Sequence, residues 1–146
     1  MKYPQSGCCL LGVMMLTGCS TMTGPEPAPE SVANRSICLD DTHAQICECP
    51  IGSSDWSAWH DFRHGCALIF TFDAANQYRS GNSPGETTCM TYRKTGPSTG
   101  EIHYESAEME HTCYLQFETP NSGSATKEGY GGEYYYKQRH IQFQLK

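Results

Sequence analysis

Ile141-Gln142-Phe143-Gln144-Leu145, near the C-terminal end, alternates large apolar and polar side chains without a break. Successive side chains of a strand point to opposite faces, so Ile141, Phe143 and Leu145 form one buried face while Gln142 and Gln144 meet water. The same period of two recurs in Cys66-Ala-Leu-Ile-Phe-Thr-Phe72, where Cys66, Leu68, Phe70 and Phe72 share a face. It recurs again in Cys113-Tyr-Leu-Gln-Phe117, with Cys113, Leu115 and Phe117 on one side. Shorter runs at Thr87–Arg93, Glu101–Glu105 and Glu133–Lys137 carry the pattern more faintly.

Between these runs lie segments with turn chemistry: Ser80–Gly85, Thr95–Gly100 and Pro120–Gly123, each containing glycine. Strands joined by such turns predict an antiparallel meander, mainly β, closing as a small barrel or folding over as a sandwich to protect its edges. One stretch, Ser54–Gly65, departs from this pattern. Ser54 suits a helix N-cap, Asp55 the positive helix start and Gly65 a stop, so a short helix is expected there. Trp56, Trp59 and Arg63 would then share a face, with the tryptophans plugging one end of the β-structure.

The N-terminus is organised differently. Lys2 precedes a nine-residue apolar run, Cys8–Leu16, which is too short to span a bilayer as a helix and suits an export signal. Leu16-Thr17-Gly18-Cys19 follows directly. This resembles the lipobox of bacterial lipoproteins and covers residues 1–19. The resemblance implies a signal peptide over 1–18, cleavage before Cys19 and acylation (typically palmitate) of that thiol. Ser20 in the next position implies delivery to the outer membrane, with the domain in the periplasm or at the cell surface. Residues 19–36 hold alternating prolines and few large apolar side chains, and read as a tether. Residues 37–146 are then one domain of ordinary size.

Export decides how the cysteines are read. Beyond the signal and the anchor, Cys38, Cys47, Cys49, Cys66, Cys89 and Cys113 remain, an even number expected to form three disulfides in an oxidising compartment. Fifteen connectivities are open. The chain has 10 Lys+Arg against 16 Asp+Glu, a net charge of −6, which argues against nucleic-acid binding.

Candidate chemistry is sparse. His60 and His64 would share a face of the expected helix and could chelate a metal ion. Glu105, Glu108 and Glu110 lie near His103 and His111, a spacing that reads as a polar hairpin turn between two strands. No Gly-x-Ser-x-Gly nucleophile elbow occurs and paired cysteines leave no thiol nucleophile, so the domain is expected not to be an enzyme and to need no cofactor. Tyr130, Tyr134, Tyr135 and Tyr136, with Trp56 and Trp59, form an aromatic group of the kind recognition surfaces use. Tyr134 and Tyr136 share one strand face and Tyr135 takes the other, so one set is exposed or lines a cavity. At the level of fold alone the pattern is similar to that of small β-barrel lipoproteins and calycin-like domains. The expected function is a lipid-anchored envelope protein that binds another protein or an envelope polymer. The alternatives are a structural or assembly accessory lipoprotein, and a metal or small-molecule carrier.

Overall fold

The computed structural model describes residues 27–80 and 88–146. The expected signal, the lipobox with Cys19 and the first part of the tether lie outside the described residues. The described chain is mainly β and antiparallel, with no helix. Its strands are β1 (Ser36–Asp40), β2 (Gln45–Pro50), β3 (His60–Asp61), β4 (Ala67–Thr71), β5 (Gln77–Ser80), β6 (Thr88–Gly96), β7 (Thr99–Glu105), β8 (Met109–Thr119), β9 (Ser122–Gly131) and β10 (Tyr134–Leu145).

From β5 to β10 the sheet is a plain meander, each strand paired with the next. β10 is long enough to hold two partners end to end. Its first half pairs with β2 (Tyr135↔Cys49, Gln138↔Ile46) and its second half with β1 (Gln142 onwards, Phe143↔Leu39). β4 extends the sheet beyond β1 and β3 extends it beyond β2. The sheet curls until its two ends meet through side chains: Phe70 of β4 packs edge-on against Tyr78 of β5, ring centroids 5.3 Å apart. No ladder joins β4 to β5, so the sheet is not closed by hydrogen bonds.

A bulge in β10 keeps the correct residues inside. Gln138 faces Lys127 and Ile141 faces Ala125, so two residues of β10 span one of β9. His140 takes up the extra position with φ 64°. Tyr136 and Gln138 therefore point inward before the bulge, and Ile141, Phe143 and Leu145 after it. The alternating runs in β8 and β10 behave as expected: Cys113, Leu115 and Phe117 pack with Ile141, Phe143 and Leu145 in one core. Phe117 meets Phe143 edge to face at 4.8 Å. β9 makes room for them. A Cβ on Gly123 would run into the Gln116 carbonyl and crowd Phe143.

The segment Ser54–Gly65 is not a helix. Residues 53–59 run without regular structure along the outside of the sheet, followed by β3. Ser57 N–H donates to the Glu48 carbonyl at 2.8 Å, Glu48 N–H donates to Ser57 Oγ at 3.0 Å, and β3 pairs with Gln45 and Ile46. The exposed backbone of β2 needs partners that a helix, satisfied within itself, would not supply. The Ser, Asp, Trp, His and Phe of this stretch are weak helix formers, so little opposes that pairing. The tryptophans do not plug an end. Trp56 lies over Lys137 and Trp59 over Arg139, on the outer face.

The expected tether also differs in its second half. Ala28 and Val32 are buried. Ala28 N–H donates to the Pro97 carbonyl at 3.1 Å, and Tyr92 hydroxyl donates to the Pro29 carbonyl at 2.7 Å. This segment seals one end of the curled sheet, so the packed unit begins before Ile37.

The expected disulfide staples are not seen: all six domain cysteines are thiols. The register explains this. Cys38 faces Ile69 and Gln144, Cys47 faces Lys137, Cys49 faces Tyr135, Cys89 faces Arg79 and Glu105, and Cys113 faces Ile102 and Lys127. No strand cysteine lies opposite another. Burial pushes the Cys113 thiol up to about 12, whereas Cys66 is exposed. Alkylation of native protein by iodoacetamide is therefore expected to modify Cys66 readily and Cys113 about 100-fold more slowly or not at all, since only the thiolate reacts. Mass mapping checks this, and Cys113 reacting at the rate of Cys66 would show that it is not sealed in the core.

Candidate functional site

With one end sealed by residues 28–35 and filled by Phe72, Phe117 and Phe143, the other end of the curled sheet is left hollow. A cavity of about 520 Å³ opens there, in the size range of small-molecule sites. The strand register stacks its inward residues in tiers. The deepest tier holds Ile46, Gln138 and Lys127, which face one another across β2, β10 and β9. The next holds Glu48, Tyr136, Gly129, His111 and Tyr104 across β2, β10, β9, β8 and β7. Tyr134, Gly131 and Met109 form the rim. Leu39, Phe62, Leu68, Phe70, Tyr78 and Met90 supply the remaining apolar wall.

Two polar arrangements lie on this apolar surface. The first is the ion pair of Lys127 and Asp41, both buried, with Nζ 3.3 Å from Oδ2. Asp41 sits in the turn between β1 and β2, and its Oδ1 accepts the Cys66 N–H at 2.7 Å. The carboxylate is thus held by a backbone donor and an ammonium. The second is a column of rings. Tyr104 stacks on His111 at 4.4 Å with the planes 5° apart, and the Tyr136 hydroxyl lies 2.9 Å from His111 Nδ1. The phenol proton has no other acceptor among the described residues, so it is assigned to Nδ1, which leaves the imidazole proton on Nε2.

Burial, aided by the nearby charges of Lys127 and His103, holds His111 down to about 4, so its ring is neutral at pH 7. Burial also pushes the Tyr136 hydroxyl well above the ordinary tyrosine range, with Tyr104 and Cys113 adding to the shift. Gly129 makes this column possible: a Cβ there would strike the Glu110 carbonyl and the His111 backbone.

The residues singled out in the sequence divide between the two faces. Tyr134 and Tyr136 line the cavity. Tyr130 and Tyr135 lie outside, ring centroids 6.4 Å apart, and the Tyr130 hydroxyl donates to Glu110. Trp56 and Trp59 share that outer face. His60 belongs to β3 and His64 to the loop after it, both exposed. Without a helix they lose the shared face that the chelation argument required. His60 instead lies 3.9 Å from Glu48, and His64 packs edge-on against Phe62. Among the described residues no group of three or more His, Cys, Asp or Glu is placed to hold a metal ion. Glu105 and Glu108 flank the hairpin between β7 and β8, as their spacing suggested.

Asp41, Tyr104, Lys127 and Gln138 were not singled out by the sequence reading. His111 was noticed only as part of a polar turn. The available signal was a charged Lys127 on the inward parity of β9, where Gly123, Ala125, Gly129 and Gly131 are the other inward residues. The chain matches no family model, no curated protein and no solved structure. The class defined by fold and site is therefore an antiparallel β-meander, curled around a one-ended cavity with a polar floor.

Proposed function

We propose that this chain is an exported, lipid-anchored envelope protein whose β-domain, a split barrel, binds a small amphipathic molecule in its open end. The observation that supports this reading best is the cavity: mostly apolar walls with a few convergent polar groups, the usual composition of a ligand pocket. The carrier alternative of the sequence reading is thereby favoured, at a different place from His60 and His64. The lipobox residues Leu16–Cys19 support the anchor. The domain is read as non-enzymatic.

Binding of the neutral probe N-phenyl-1-naphthylamine tests the cavity. One probe per chain is expected, with fluorescence enhancement lost in Gly131→Leu. A Cβ at Gly131 would first meet only the flexible end of Met109, so the added side chain should fill the mouth without breaking the strand. Unchanged binding in that variant would place the probe elsewhere. For the anchor, Cys19→Ala is expected to move the protein from the membrane to the soluble periplasmic fraction. Continued membrane fractionation of that variant would remove this part of the proposal.

A second reading rests on the outer face. Trp56, Trp59, Tyr130 and Tyr135 are exposed there beside Lys137 and Arg139. Rigid aromatic area with cations nearby suits a protein or polymer partner. Cross-linking in cells would yield one dominant product at this face if it docks a partner. Neither a partner nor a ligand would leave the structural accessory role.

A further inference from the structure

Three polar side chains of the cavity have hydrogen-bonding capacity that no described residue fills. Lys127 is 9% exposed, and its ammonium has Asp41 as its one hydrogen-bond partner among the described residues. Gln138 is 5% exposed and faces Lys127 across the β9–β10 register, yet its carboxamide has no hydrogen bond among the described residues. His111 uses Nδ1 on Tyr136 and leaves Nε2 open. Burying such groups is costly unless they find partners. Among the described residues, no polar atom of a buried side chain is both sealed from solvent and unpartnered. The spare capacity of these three therefore opens to the cavity that they line.

Charge decides which head group fits. Lys127 and Asp41 cancel, and His111 is neutral. The other charge on the cavity wall is Glu48, and the whole chain carries −6. The site is thus rich in donors without being positive. A carboxylate head would bring a further anion to Asp41 and Glu48 with one buried ammonium between them. A cationic head would be drawn to Glu48 in the tier above, but at the floor it would lose its water and meet the donors of Lys127, Gln138 and His111. A neutral oxygen acceptor meets neither penalty.

We infer that the cavity takes a neutral amphiphile whose polar end is a carbonyl oxygen (an ester, amide or ketone), bound by Lys127, Gln138 and His111. Its apolar body lies against Phe62, Phe70 and Met90. This inference rests on the ligand-binding reading above and adds to it the chemistry and orientation of the ligand.

Calorimetric titration of the full-length protein at neutral pH with 2-undecanone, decanoate and decylammonium tests it. The ketone is expected to bind about tenfold or more tightly than either charged probe, a difference of about 1.4 kcal/mol. Gln138→Leu should reduce that preference several-fold, and an unchanged preference in that variant would remove Gln138 from the head-group site. The double variant Asp41→Asn/Lys127→Met keeps the floor neutral and should abolish the preference. Decanoate or decylammonium binding as tightly as the ketone would overturn the head-group inference and leave the cavity reading intact. Failure of all three probes, together with the naphthylamine, would overturn both.

Discussion

Lys127→Met is expected to destabilise the fold by about 3–5 kcal/mol, because it leaves a buried carboxylate without its counter-ion. Asp41 is 5% exposed and Lys127 9%, so neither charge is well hydrated. With the ammonium gone, Asp41 retains the Cys66 N–H on Oδ1 and loses the partner of Oδ2. Asp41→Asn/Lys127→Met removes both charges and keeps an acceptor for Cys66. A buried pair replaced together is often nearly neutral for stability, so the double variant should recover most of the loss. Urea denaturation of the three proteins at neutral pH measures this. A single-variant loss below about 1 kcal/mol would be the behaviour of a solvated surface pair and would deny the floor its buried charge.

Acid should begin to weaken the native protein from about pH 6.5 downwards. His111 is held at about 4 in the fold, and its ordinary value is 6.5. Between those limits the unfolded chain binds the proton and the folded one does not. Stability is therefore full above about pH 6.5, falls as pH drops towards about 4, and changes no further below that on this residue's account. The slope approaches about 1.4 kcal/mol per pH unit, for a total of about 3 kcal/mol. His111→Gln keeps a polar partner for Tyr136 and has no proton to gain, so its urea midpoint should fall less between pH 7 and pH 4.5. Parallel profiles for the two proteins would mean that the imidazole is solvated and not stacked beneath Tyr104.

Much of the sheet was legible in the sequence. The runs at 66–72, 113–117 and 141–145 alternate because one face turns inward, and their inward residues are those expected, apart from Cys66 and Leu68, which are both exposed. β9 was not legible. Apart from Lys127, Ser122–Gly131 carries small inward residues, since Phe117, Phe143 and His111 from its neighbours already occupy the space. β1 and β2 are short segments made regular by sharing β10, a non-local cause that no local pattern reveals. The helix expected over 54–65 rested on capping residues and on the spacing of Trp56, Trp59 and Arg63, and the unmet backbone of β2 outweighed them. The site was less legible still. Tyr134 and Tyr136 showed the correct parity, but Asp41 lies in a turn 86 residues from Lys127, and nothing local to either announces their pairing.

Taken alone, the amino-acid order determined a β-rich antiparallel domain with a polar hairpin at 106–108, and the inward faces of its most regular strands, since alternation and turn chemistry are properties of neighbours along the chain. Only the tertiary structure decided that the sheet curls with one end sealed by residues 28–35 and the other left hollow. It alone placed Asp41, His111, Lys127 and Gln138 around one space and kept the cysteines apart. The reason is that strand register, fixed by the bulge at His140 and the glycines of β9, sets which inward residues meet, and register depends on contacts between segments far apart in sequence.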